Sequence, residues 1–250
     1  MLENFVFLPA KINDLDDIYE LILTSKSGLT SLPKNKKSIK QYIDDSIDSF
    51  CSVNHHLFSK RFLFVLKDKS TNKVIGISAV ANSINKGNSF YSFKYNKVFK
   101  DNSLDLFSSN IVLDQIPSKW SELCSLYLHP NYRYAGIGRF LSIARFLFIF
   151  QHRHLFRDVV MAELRGISDE ANGSLFWNTL MKPSLKLSFK KALKLISNNE
   201  KIDFSLVKKR KYFLNELTEE LINQLGKCHH HTKGAYSILS SESFTESNYI

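Results

Sequence analysis

The chain has 250 residues, 44% hydrophobic and 23% charged. That excludes a disordered, collagen-like or coiled-coil polymer and allows one or two domains. Lys and Arg number 34 against 24 Asp and Glu, a net charge of +10, which favours anionic partners: nucleic acid, an acidic membrane face or a phosphorylated cofactor. No run approaches the ~18 apolar residues of a membrane span, and the most apolar stretch, Phe140 to Phe150, is broken by Arg145 and reads as a buried helix. Cys51, Cys124 and Cys228 are odd in number and widely spaced, which fits a reducing compartment rather than a disulfide framework. Met1 to Ala10 shows no signal-peptide pattern, so the expected location is cytoplasmic.

In chain order, Phe5 to Pro9 predicts a first strand. Asn13 to Asp17 caps a helix reaching about Ser25, with acidic residues at its positive end. Gly28-Leu29-Thr30-Ser31-Leu32-Pro33 reads as a loop. Ile39, Ile43, Ile47 and Phe50 have helical spacing, which predicts a helix over Lys36 to Phe50. Phe62 to Leu66 and Val74 to Val80 form a hairpin around the turn Asp68 to Asn72. Phe90 to Phe99 alternates aromatic and polar residues as a strand. Glu122 to Leu128 is a strand, His129 to Tyr132 a turn, Gly138 to about Arg153 a long helix, Val159 to Leu164 a strand and Ser174 to Met181 a short helix. Beyond Lys182 the pattern loosens: Thr218 caps a helix to Leu225, Gly234 to Glu242 is another helix, and Phe244 opens a final strand. The expected class is α+β, with one mixed, mostly antiparallel central sheet and flanking helices. The expected organisation is a domain over 1–185 and a C-terminal extension over 186–250 packed on the same core.

The segment richest in chemistry runs from Glu122 to Arg139, where a strand leads through Arg133-Tyr-Ala-Gly136-Ile-Gly138 into a helix. Glycines there let backbone N–H groups approach an anion, and the helix N-terminus adds partial positive charge. The segment lacks the Gly-Lys-Ser/Thr of a nucleotide P-loop and the third glycine of a dinucleotide fingerprint. It reads as a pyrophosphate cradle, with a tight turn built for close packing as the bland alternative.

Arg-x-x-Gly-x-Gly after such a strand resembles the coenzyme A site of the GCN5-related N-acetyltransferases. A more specific resemblance is carried by Gly28-Leu-Thr-Ser-Leu-Pro33, Ser121-Glu-Leu-Cys-Ser-Leu126, Leu141-Ser-Ile-Ala-Arg-Phe146, Ala162-Glu-Leu-Arg-Gly-Ile-Ser-Asp-Glu170, Phe176-Trp177 and His229-x-His-Thr232. Together, in order from residue 5 to 250, they resemble the arginine N-succinyltransferases, whose chains continue beyond the point where this sequence stops. The resemblance implies a GCN5-related fold and transfer of succinyl from succinyl-CoA to the α-amino group of L-arginine in arginine catabolism. Succinyl-CoA is then a co-substrate, and no cofactor is bound permanently. Two other outcomes stay open: an acyl-CoA N-acyltransferase using another amine or acyl group, and an inactive relative that binds coenzyme A or a protein.

The resemblance assigns the coenzyme diphosphate to Arg133, Tyr134, Ala135, Gly136, Ile137 and Gly138, and the pantetheine arm to backbone groups of Leu126, Tyr127 and Leu128. It makes His229 the catalytic proton donor. On residues alone, His229 reads rather as a member of a solvated His triplet, and the cluster with Cys228 and His231 has no second spaced group to suggest zinc, so no metal is expected. Glu122, at the start of the strand beside the thioester, is the candidate base, against a salt-bridged strand end. Glu163 and Asp169 suit the guanidinium of arginine and Arg165 the succinyl carboxylate, against cross-strand pairing of Glu163 with Arg165. Cys124, in an apolar strand, reads as an inert core thiol. The basic run Lys208 to Lys211 reads as a solvated loop rather than a nucleic-acid contact. Homo- and hetero-oligomers are both left open.

Overall fold

A computed structural model describes residues 2–25, 32–53, 59–84, 90–116, 120–169, 173–197, 200, 202–207 and 210–250. Gly28 to Ser31 of the predicted loop, Lys208 and Lys209 of the basic run and Glu170 lie outside the described residues. The strands in chain order are β1 (Phe5–Pro9), β2 (Arg61–Asp68), β3 (Val74–Ala81), β4 (Phe90–Asn96), β5 (Phe99–Lys100), β6 (Ser103–Leu104), β7 (Asn110–Ile116), β8 (Ser121–Leu128), β9 (Val160–Ala162) and β10 (Lys211–Phe213). The helices are α1 (Leu15–Leu23), α2 (Lys36–Cys51), α3 (Ile137–Gln151), α4 (Lys182–Leu185), α5 (Phe189–Ser197), α6 (Glu219–Gln224) and α7 (Lys233–Ser241), with a π-helical stretch at Trp177–Met181. Among the described residues, no helix is long and apolar enough to cross a membrane.

Two compact units form. One takes Met1–Asn88, Ser118–Glu163 and Ile196–Glu200; the other takes Ser89–Pro117, Leu164–Leu195 and Lys201–Ile250. They interleave along the chain and do not follow a single cut near residue 185.

The first unit is built on a five-stranded sheet in the order β1-β2-β3-β8-β9. Every pairing is antiparallel except β8 with β9, so the α+β class with a mostly antiparallel mixed sheet is borne out. On one face, Leu63, Val65, Ile77 and Ala79 pack with Ile18, Leu21 and Ile22 of α1 and Ile39 and Ile43 of α2. On the other, Leu66, Ile75 and Leu128 meet Ile137 and Leu141 of α3. Phe62 and Phe64 of β2 stack around Phe148 of α3, with ring centroids 4.8 and 5.1 Å apart. A Cβ on Gly76 would fall 2.8 Å from Leu141 Cδ2, so this glycine is what lets α3 lie directly on β3. The predicted cap of α1 differs in detail. Asp16 and Asp17 occupy its first turn as expected, but Asp14 turns its carboxylate to the Lys11 N–H and the Lys67 ammonium. The lysine charge and the earlier turn compete successfully for that carboxylate.

The second unit corrects the expectation of one sheet. It holds a separate antiparallel sheet, β10-β7-β4, whose Phe93, Tyr95, Ile111, Leu113 and Tyr212 pack with Trp177, Leu180, Met181 and Leu221. Both β7 and α5 were unpredicted. The strand expected over Phe90 to Phe99 stops at Asn96. No strand begins at Phe244; the end of the chain meets β4 through hydrogen bonds such as Ile250 N–H to Phe93 O and a bridge at Tyr249. Thr218 caps α6 as expected, its hydroxyl accepting the Leu221 N–H.

Candidate functional site

In the first unit, β8 carries a defect that shapes the site. Ile77 pairs with Tyr127 and Ala79 with Cys124, so the register slips between them. Ser125, at the slip, has a left-handed φ of 55°. This is a β-bulge, which twists a strand and re-aims the backbone beyond it. The Tyr42 hydroxyl of α2 lies 2.9 Å from Ser125 Oγ, and the Tyr127 hydroxyl lies 3.0 Å from Thr24 Oγ1 at the end of α1. Side chains from two helices thus hold the bulge in place. On the opposite edge, β9 pairs with β8 only from Ser121 to Leu123. Past Leu123, no described strand covers that edge, so Leu126, Tyr127 and Leu128 present main chain where an extended, amide-bearing ligand can pair with it.

After β8 the chain turns through His129 to Gly136 into α3. Arg133 donates from Nε to Leu128 O at 3.1 Å, and Tyr132 donates its hydroxyl to Asp68 at 3.1 Å. Those two bonds brace the loop. Ala135 and Gly136 are both left-handed, at 50° and 78°, and bend the chain sharply into the helix. Helix α3 begins with no side-chain cap and no acidic residue in its first turn, so the positive end of its dipole is not neutralised from within the helix. Nothing lies within 4 Å of a Cβ built on Gly136, and on Gly138 the nearest atom, Leu128 Cδ2, is 3.7 Å away. Internal packing therefore does not require Gly138 to lack a side chain, and the tight-packing alternative loses its basis there. Arg133, Tyr134, Ala135, Gly136, Ile137 and Gly138 form one continuous cradle suited to a diphosphate.

Beside the bulge lies a cluster of polar groups. Glu122 is half-buried, and desolvation raises its pKa, with the Arg61 guanidinium opposing the shift. Glu163 follows β9 directly; it keeps open surface but sits among enough protein that desolvation first, and the Glu122 charge second, push it up to about 7. The Glu122 charge thus disfavours ionisation of Glu163. The Cys124 thiol is pushed up to about 11 by burial and then by Glu122, which suits a core thiol and not a nucleophile. Sequence reasoning did not single out Tyr42, Arg61 or the bulge at Ser125. The available signals were an arginine opening an apolar strand and a tyrosine among the isoleucines of α2.

The Glu163 shift has a stability consequence. Its proton is held more tightly in the folded chain than in the unfolded one, so stability is greatest below the ordinary value of 4.5. It falls as pH rises from there to about 7. We expect Glu163→Gln to raise the melting temperature at pH 8 and to change it little at pH 4, read by thermal unfolding at both values. Because the side chain is partly exposed, the gain is smaller than for a sealed carboxyl. Equal melting curves at pH 8 would refute the desolvation.

In the second unit, His229 is buried at 7% exposure. Its N–H donates to Arg165 O at 2.7 Å, and its Nδ1 accepts the His231 N–H at 3.1 Å. The neutral ring therefore carries its proton on Nε2. Burial lowers its pKa, followed by the Arg165, His230 and His231 charges. The ligand nitrogens of the three histidines lie within 4.8 Å of one another, wider than the roughly 3.4 Å implied by a tetrahedral zinc site. Arg165 donates from Nε and Nη2 to Ser168 Oγ at 3.0 and 2.6 Å. Asp169 closes a small turn with Gly173, each accepting the other's N–H. The structure thus brings Arg165 and His229 together in this unit, and Glu122 and Glu163 together in the other.

The family model described as arginine N-succinyltransferase beta subunit matches residues 5–250. The chain is 32% identical over 246 residues to the arginine N-succinyltransferase of Yersinia pestis (strain Pestoides F), covering 97% of this chain and 70% of that protein. It is 32% identical to arginine N-succinyltransferase subunit beta of Pseudomonas aeruginosa, covering 97% of this chain and 72% of that one. Among solved structures, arginine/ornithine succinyltransferase subunit AI from Pseudomonas aeruginosa superposes with a TM-score of 0.82 at 25% identity, covering 98% of this chain and 73% of that one.

Proposed function

We propose a reaction for this chain from one premise: the chain belongs to the arginine N-succinyltransferase beta subunit family. The reaction is transfer of a succinyl group from succinyl-CoA to the α-amino group of L-arginine. The observation that carries it is the bulged strand β8, open along Leu126 to Leu128, running into the uncapped start of α3. Backbone N–H groups of 133–138 hold the coenzyme diphosphate. Main chain of Leu126 to Leu128 pairs with the pantetheine arm and steadies the oxyanion. The Glu122 carboxylate takes the proton from the arginine ammonium, directly or through water. The neutral amine attacks the thioester carbonyl, the new C–N bond forms, and the C–S bond breaks. His229, in its imidazolium form, gives a proton to the departing thiolate and is restored by the second proton that the new amide nitrogen loses. Glu163 and Asp169 receive the guanidinium, and Arg165 stands by the succinyl carboxylate. Acyl-CoA enters as co-substrate and leaves as coenzyme A, so the chain needs no permanently bound cofactor for these steps. The free thiols of Cys51, Cys124 and Cys228 fit a reducing, cytoplasmic setting.

The test is steady-state thiol release with L-arginine and either succinyl-CoA or acetyl-CoA. A charge-assisted contact to the succinyl carboxylate gives about 10- to 150-fold preference for succinyl-CoA. Equal turnover of the two thioesters would replace this reading by a broader acyltransferase. Failure to bind coenzyme A at all would overturn it.

A further inference from the structure

Arg61 opens β2 and shares one row of the sheet with Ala81 and Glu122. In that register its side chain lies on the same face as Glu122, the face packed by α2. Its guanidinium carbon lies 5.2 Å from the centre of the Tyr42 ring, and the Tyr42 hydroxyl reaches Ser125 at the bulge. One short line of contacts therefore connects Arg61 to the backbone turn beside Leu126.

One feature of Arg61 serves no packing purpose. Its Nε is sealed from solvent and has no hydrogen-bond acceptor, alone in this respect among the buried side-chain N and O atoms of the described residues. Among those residues it also makes no ion pair. A buried, unmet guanidinium N–H is costly, and folded proteins rarely leave one. Arg165, the cation expected from the sequence to meet a carboxylate, already directs two of its donors at Ser168 Oγ.

We infer that Arg61 receives a substrate carboxylate, its Nε–H supplying one of the donors. The inference rests on the acyltransfer reading above. A planar guanidinium matches a carboxylate in two parallel bonds, and the neighbouring Glu122 and Glu163 would repel such a ligand unless a cation balanced them. Each substrate of the proposed reaction carries one carboxylate: the terminal group of succinyl-CoA and the α-carboxylate of arginine. An arginine stays protonated across the working pH range, so the charge of Arg61 is constant.

The experiment compares wild type, Arg61→Met and Arg61→Lys in kcat/KM for succinyl-CoA against acetyl-CoA, and for arginine against agmatine, which keeps the primary amine and lacks the carboxylate. Calorimetric affinities for the same four compounds supply the ratios if turnover is absent. In Arg61→Met one of the two preferences falls by about 10- to 150-fold. Loss of the succinyl preference identifies the acyl carboxylate, and loss of the arginine preference identifies the α-carboxylate. Arg61→Lys keeps the charge without the fork and loses part of the same preference; it decides the matter alone if the methionine variant does not fold. Unchanged ratios in a folded variant that still binds coenzyme A overturn the inference and leave the parent reading intact. A wild-type chain that binds no coenzyme A overturns both.

Discussion

His229→Ala is expected to lower the turnover number for succinyl transfer by about 10²–10⁴-fold, the usual contribution of a positioned acid or base, with succinyl-CoA affinity nearly unchanged. The ring is buried, its Nδ1 is engaged by the His231 N–H, and its pKa is lowered first by burial. Its protonated form is a stronger acid than a free imidazolium. The substitution removes the ring's bonds with the His231 N–H and the Ser168 main chain. The His229 N–H to Arg165 O bond and the Thr232 hydroxyl bond to His229 O involve main-chain atoms of residue 229 and survive in alanine. A loss of rate therefore reports chemistry rather than collapse of the turn. His230 is exposed, and His230→Ala is expected to keep most of the activity. Steady-state thiol release for the three proteins, with coenzyme affinity measured alongside, decides the matter. If His229→Ala retains full rate, the proton to the thiolate comes from elsewhere.

Gly138→Val is expected to weaken succinyl-CoA binding by about 10- to 150-fold, the range of one lost charge-assisted hydrogen bond, while thermal unfolding stays close to wild type. Gly138 is the better choice than Gly136 because it is helical and a Cβ there meets only Leu128 Cδ2, at 3.7 Å. At Gly136, with φ of 78°, any side chain strains the backbone and would confuse binding with stability. Valine at 138 adds bulk at the helix start, where the proposed reading places the coenzyme diphosphate. Calorimetric titration with succinyl-CoA reads the effect. Unchanged affinity would remove the cradle from the coenzyme's path.

The sequence by itself determined the parts written in local chemistry. The run from Glu122 to Gly138 announces strand, turn, glycine loop and helix, because glycine spacing and apolar period are properties of neighbouring residues. The β2–β3 hairpin follows from its turn, and α6 from Thr218 and the apolar residues after it. The family resemblance singled out His229 and Leu126, which composition and spacing do not mark. What tertiary structure decided depends on partners distant in the chain. Strand β7 carries no turn joining it to its neighbours: it pairs with β4 and, about a hundred residues later, with β10. The bulge at Ser125 exists because β8 must register against β3 on both sides of one extra residue, and no local signal records such a slip. The elevated Glu163 carboxyl and the unmet Nε of Arg61 belong to the same class. Desolvation and hydrogen-bond satisfaction are set by what other segments bring near a group, and only the folded chain fixes that environment.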